Sequence, residues 1–133
     1  MASIGRPERA AKMKLYLSVA LLVFLVIGLS VMGIRTIVDP GRFDFFNQVG
    51  LPRAGVLVWA VYTVVGALFM AHPRTLVVGC VMLLLNNVFI IGVYMRLGEI
   101  GSAAFEALAM GFPVVLLWLG NPYTLWTRRS RSV

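Results

Sequence analysis

The 133-residue chain is 60% hydrophobic and 13% charged, with a mean hydropathy of +0.91 and a net charge of +7. An ordinary soluble domain cannot bury that much apolar surface in so short a chain, and disorder is excluded as well, so the composition is that of a membrane protein. The 12 Lys+Arg against 5 Asp+Glu gather at the ends of apolar runs, which implies membrane orientation and not nucleic acid. One cysteine allows no internal disulfide.

Residues 1–14 are polar and basic, with Arg6, Arg9, Lys12 and Lys14 against Glu8. The first apolar run, 15–34, is predicted as a retained span. It is longer than the roughly 7–15 residues of a secretory apolar region, and no small-x-small cleavage site follows. Asp39 before Pro40 then reads as a helix N-cap with proline in the first turn, and Gly50 with Pro52 reads as a stop. Between them, Phe43, Phe46 and Val49 share one face of a short helix over 40–49, while Arg42, Asp44, Asn47 and Gln48 are polar. This predicts an interfacial amphipathic helix; a plain loop with phenylalanines packed on the bundle is the alternative.

The second span is predicted over 54–71. The AHPRT link, 71–75, is short enough to make it an antiparallel neighbour of the third. The third span, 75–94, carries no charge, and 20 helical residues rise ~30 Å, one hydrocarbon thickness. Asn86 and Asn87 sit near its middle and Gly98 marks its end. The fourth span, 103–119, contains Glu106 and Pro113, and Tyr123 and Trp126 follow as interface anchors. The expected fold is therefore all-α: a single membrane domain, a four-transmembrane-helix bundle with the interfacial helix between spans one and two. Eight Lys/Arg lie in the N-terminal segment, the 71–75 link and the C-terminal tail, against Arg35, Arg42, Arg53 and Arg96 on the other side, so both termini are expected to be cytoplasmic. There is no internal repeat.

No catalytic motif is visible. His72 alone cannot make a metal site, and Cys80 reads as a small core residue. Cys80, Asn87 and Tyr94 recur every seven residues and mark one seam of the third span. Such a seam serves interhelical hydrogen bonding, or forms the polar wall of a ligand pocket. Adjacent residues on a helix point ~100° apart, so either Asn86 or Asn87 fits the interior. Glu106 is the acid inside a span. It reads either as an interface ion pair with Arg96 or Arg35, or as part of a non-cytoplasmic pocket built from Arg35, Tyr94, Arg96 and Glu106 under the Phe-rich helix. Pro113 removes the helix bond to the Ala109 carbonyl and predicts a kink. Ala103, Ala107 and Gly111 form a small-residue strip for close helix packing, within the bundle or against another subunit.

The FDFFNQVGLP segment after span one, VYTVVGALFMAHPRT closing span two, MRLGE closing span three and the WLGNP-type ending of span four resemble the DoxX-like group of small bacterial membrane proteins over roughly residues 20–122. The acidic Glu-Leu-x-Gly-type motif common in the second span of that group has no counterpart near Ala60–Gly66, and Tyr94 stands where a histidine is common. The resemblance implies a four-helix bundle in the bacterial inner membrane, associated with thiosulfate:quinone oxidoreduction or membrane oxidoreductase assemblies. The expected function is an accessory or structural subunit of a larger membrane complex, redox or energy-transducing in kind, with partners in the bilayer, in other subunits or in copies of itself. The alternative is a binder or carrier of a small amphiphile, a quinone or lipid. An enzymatic reading rests on Glu106 alone and is the weakest.

Overall fold

The computed structural model describes residues 5–130, and the side chains of residues 7–127. The described residues form seven helices and no strand: α1 (Gly5–Val38), α2 (Pro40–Asn47), α3 (Arg53–Met70), α4 (Leu76–Leu97), α5 (Ile100–Ala109), α6 (Gly111–Leu119) and α7 (Pro122–Ser130). Four segments are long and apolar enough to cross a membrane: Pro7–Val38, Arg53–Met70, Leu76–Leu97 and Ile100–Thr127. The protein is thus an all-α bundle of multi-pass membrane character.

α1 starts ten residues before the predicted span. Its first segment, rich in Ala, Lys, Arg and Glu, holds good helix formers, Pro7 lies in the first turn where proline is tolerated, and nothing interrupts the helix before the apolar run begins. Its end is set by Asp39, whose extended backbone precedes Pro40 and whose carboxylate accepts from the Gly41 N–H at 3.0 Å.

α2 is a helix, as its N-cap requires, but its aromatic side turns into the bundle. Phe46 is fully buried, Val49 is buried and Phe43 is half-buried. The predicted apolar face is therefore satisfied by protein. The Phe46 ring packs 5.0 Å from Trp59 of α3, and the Arg53 guanidinium sits 5.0 Å over the Phe43 ring. Gly50 takes the left-handed backbone, φ +80°, that turns the chain into α3.

α3 and α4 form the antiparallel hairpin expected from the short link. Gly79 sets their approach: a Cβ there would lie 2.6 Å from the Met70 nitrogen and 2.9 Å from the Gly66 carbonyl oxygen. α4 ends in a Schellman motif. The Glu99 N–H reaches the Tyr94 carbonyl at 2.9 Å and the Gly98 N–H that of Met95 at 3.2 Å, with Gly98 at φ +76°.

The fourth span is broken. α5 stops at Ala109 and α6 restarts at Gly111, four to two residues before Pro113, where the missing proline N–H leaves the Ala109 carbonyl unbonded. After Gly120, α7 folds back onto the α3–α4 turn. The Tyr123 hydroxyl donates to the Ala71 carbonyl at 2.6 Å, and the Asn121 amide to that of Pro73 at 3.3 Å. The helices close a ring in which α1 packs on α3, α6 and α7, and α4 packs on α3, α5 and α6, leaving α1 and α4 at opposite corners. The start of α1, the 71–75 turn and α7 therefore share one end, the arrangement assumed in counting charges. The C-terminal Arg131, and the side chains of Arg6, Arg128 and Arg129, lie outside the described residues.

Candidate functional site

Two apolar clusters fill the bundle, one at each end. At the α7 end, Leu22, Leu25 and Leu29 of α1 meet Ala67, Met70, Leu76, Cys80, Leu83 and Leu116. At the α2 end, Phe46, Val49, Val56, Trp59, Ile90 and Val93 pack together, with Phe89 and Tyr94 partly buried against them. Cys80 is a buried core residue, as expected. Between the clusters lies a polar layer on α3 and α4.

Both asparagines of that layer are buried. Asn86 faces α3, where its Oδ1 accepts from the Thr63 hydroxyl at 3.1 Å. The same hydroxyl is 3.0 Å from the Trp59 carbonyl, so one proton is shared between two acceptors. One turn towards α7, the Tyr62 hydroxyl donates to the Met82 carbonyl at 3.0 Å. A shallow crevice runs over this layer, lined by Leu29, Tyr62, Thr63, Gly66, Met82, Leu83 and Asn86. Asn87, rotated by one residue, makes no hydrogen bond with any described residue although it is only 5% exposed. Ser18 Oγ and Trp59 Nε1–H, unlike the Asn87 amide, are fully buried with no partner among the described residues. In water each orphaned group costs about 1–3 kcal/mol against its solvated state, so these are places where a partner is missing.

The pocket expected from Arg35, Tyr94, Arg96 and Glu106 is brought together only in part. Tyr94 is half-buried beneath α2, with the Phe45 ring 5.7 Å from its own. Glu106, Arg42 and Glu99 all lie within electrostatic range of its hydroxyl. Arg96 and Arg35 are exposed, and neither pairs with Glu106. The ion pair anticipated at this end is therefore not formed: Glu106 is half-buried in α5 and bonds to no described residue. Arg42 is the residue that sequence reasoning missed. The sequence marks it only as one of the polar residues of α2, whereas, one turn from buried Phe46, Arg42 is half-buried near Tyr94. A long-range packing event decides this, and no local pattern signals it.

Ala103, Ala107 and Gly111 separate in the same way. Ala103 is buried against the bundle. Ala107 and Gly111 face outward, and a Cβ at Gly111 would meet nothing within 4 Å. They lie among Phe105, Leu108 and Phe112, all exposed. His72 is exposed and its Nδ1 accepts from the Arg74 N–H at 3.3 Å, and among the described residues no cluster of metal-ligating side chains occurs. Comparison with protein-family models, with curated proteins and with solved structures returns no match for this chain.

Proposed function

We propose that the chain is an accessory subunit of a larger membrane complex and docks through the outward face of α5 and α6. The observation that carries this reading is the state of Glu106: a half-buried carboxylate inside an apolar span, with no hydrogen bond or ion pair to any described residue, beside the open small residues Ala107 and Gly111. An unpaired carboxylate at membrane depth is costly, and a neighbouring helix carrying a hydrogen-bond donor relieves it. Small residues let such a helix approach closely enough to do so. The fourth span is also the least covered by its own chain, with 17% of its most apolar window buried against 44% for α4. The DoxX-like resemblance supports a complex of redox or energy-transducing type in a bacterial inner membrane, and the basic α7 end supports cytoplasmic termini.

The test is affinity purification from native membranes with Ala107→Leu and Gly111→Leu. Both side chains point away from the bundle, so the fold survives, and the reading requires loss of co-purifying subunits. Undiminished assembly in both variants refutes it.

A second reading has its own observation. Asn87 of α4 is buried with no hydrogen bond to any described residue, Tyr94 lies farther along the same helix, and Glu106 of α5, which packs on α4, is within electrostatic range of the Tyr94 hydroxyl. These groups suit the polar head of an amphiphile, a quinone or lipid entering from the bilayer. Asn87→Leu then abolishes retention of that molecule in the purified protein while the helical content is kept; full retention excludes the reading.

A further inference from the structure

The charges of this protein are distributed unequally between its ends. At the α2 end, Arg35, Arg42, Arg53 and Arg96 are matched in number by Asp39, Asp44, Glu99 and Glu106. At the α7 end, Arg9, Lys12, Lys14 and Arg74 are all exposed, α7 continues into Arg128 and Arg129, and Glu8 is the one acid. The α2 end thus contributes no net charge, and the excess of exposed positive charge lies at the α7 end.

Three elements carry that charge and the fold fixes them together. α1 has 34 residues, a length of ~51 Å at 1.5 Å per residue, against a hydrocarbon core of ~30 Å. Its apolar run fills the core, so the Arg9–Lys14 segment stands as a continuous helix at and beyond headgroup level. The α3–α4 turn presents Arg74 at the same end, and α7 is tied to that turn through Tyr123 and Asn121. The charge begins where the lipid-facing surface stops: Tyr16 and Leu17 are exposed directly below Lys14, and Trp126 of α7 is 61% exposed. Aromatic rings at the edge of an apolar band mark the membrane interface.

The geometry points to a headgroup-binding collar: the α7 end, through Arg9, Lys12, Lys14 and Arg74, selects anionic phospholipid from the leaflet that surrounds it. The phosphate and the extra negative headgroup charge are the ligand, and the collar enriches such lipids around the protein relative to zwitterionic ones. Basic residues contiguous with a lipid-contacting apolar surface favour this over an acidic protein, which needs a charged face clear of the bilayer. The inference does not depend on the docking face of α5 and α6.

The test uses the full-length protein in vesicles of equal parts phosphatidylcholine and phosphatidylglycerol, with one or the other lipid brominated. In a Trp118→Phe background the quenched fluorophore is Trp126, because Trp59 is buried. The expected result is a preference for quenching by the anionic lipid of about fivefold, the factor one basic side chain supplies at headgroup level. It falls towards unity in the combined Arg9→Gln, Lys12→Gln, Lys14→Gln and Arg74→Gln variant, and in ~1 M salt, where the screening length is about 3 Å. Arg35→Gln with Arg96→Gln, at the opposite end, leaves it unchanged. Equal quenching by the two lipids in the unaltered collar overturns the inference. So does a preference that survives neutralisation of all four residues, and so does binding of an acidic protein in the absence of any lipid preference.

Discussion

Replacing Gly79 by alanine tests how the α3–α4 hairpin is held. The new Cβ would lie 2.5 Å from Met70 Cγ, 2.6 Å from the Met70 nitrogen and 2.9 Å from the Gly66 oxygen, where ordinary contacts are 3.4 Å or longer. The Met70 side chain can rotate away, but the nitrogen and oxygen are backbone of α3. Relief therefore requires the two helices to separate by roughly half an ångström or more, loosening fully buried Met70, Ala67, Cys80 and Leu76. Such overpacking costs about 1–3 kcal/mol, while alanine gains about 1 kcal/mol of helix propensity over glycine. Gly92→Ala supplies the reference. It lies in the same helix with nothing within 4 Å of its Cβ and takes only the propensity gain. The two variants should therefore differ by about 1–3 kcal/mol, Gly79→Ala being the less stable. Reversible unfolding in mixed detergent micelles, followed by far-ultraviolet circular dichroism, measures the difference. Equal stability of the two variants, to within about 0.5 kcal/mol, would refute the close-packed hairpin.

The polar layer and the C-terminal tie give further expectations. Thr63→Val removes the donor to Asn86 and should cost about 0.6–2 kcal/mol in the same unfolding assay. Asn87→Leu, which removes an amide with no partner among the described residues, should leave stability unchanged or raise it by about 1 kcal/mol, so the neighbouring asparagines respond differently. Tyr123→Phe removes the bond to the Ala71 carbonyl and should speed amide hydrogen exchange in the 71–75 turn, with α4 beyond Gly79 unaffected. Pro113→Ala restores the donor to the Ala109 carbonyl and should slow exchange around Met110 as α5 and α6 join.

Features that depend on neighbouring residues were legible in the sequence. Asp39-Pro40 set the start of α2, Gly98 set the end of α4, and Pro113 placed the break near Ala109, because capping, left-handed turns and a missing N–H act within one helical turn. The four apolar runs likewise gave the spans, since their length is matched to lipid. The start of α1 was less legible: the Arg9–Lys14 segment is polar, and polarity marks the edge of the membrane without ending a helix.

The candidate site depended on packing between distant segments, and there the sequence was ambiguous. Asn86 and Asn87 competed for one interior position, yet α3 and the rest of the bundle bury both. The sequence pairs Arg96 with Glu106 because they share a membrane face, but Arg96 is exposed on α4, and Arg42, far away in sequence on α2, approaches Tyr94. The small-residue strip split for the same reason. Four-residue spacing puts Ala103, Ala107 and Gly111 on one stripe, yet of the three only Ala103 is buried, and Gly111 lies beyond the break at Met110.

Site-specific photocrosslinking in native membranes tests the docking face most directly. A photoreactive residue at position 107 or 111 should yield a discrete protein adduct. One at Val58, on the exposed side of α3, should not. Lipid adducts alone from positions 107 and 111 would contradict the assignment of this chain as a subunit docked through α5 and α6.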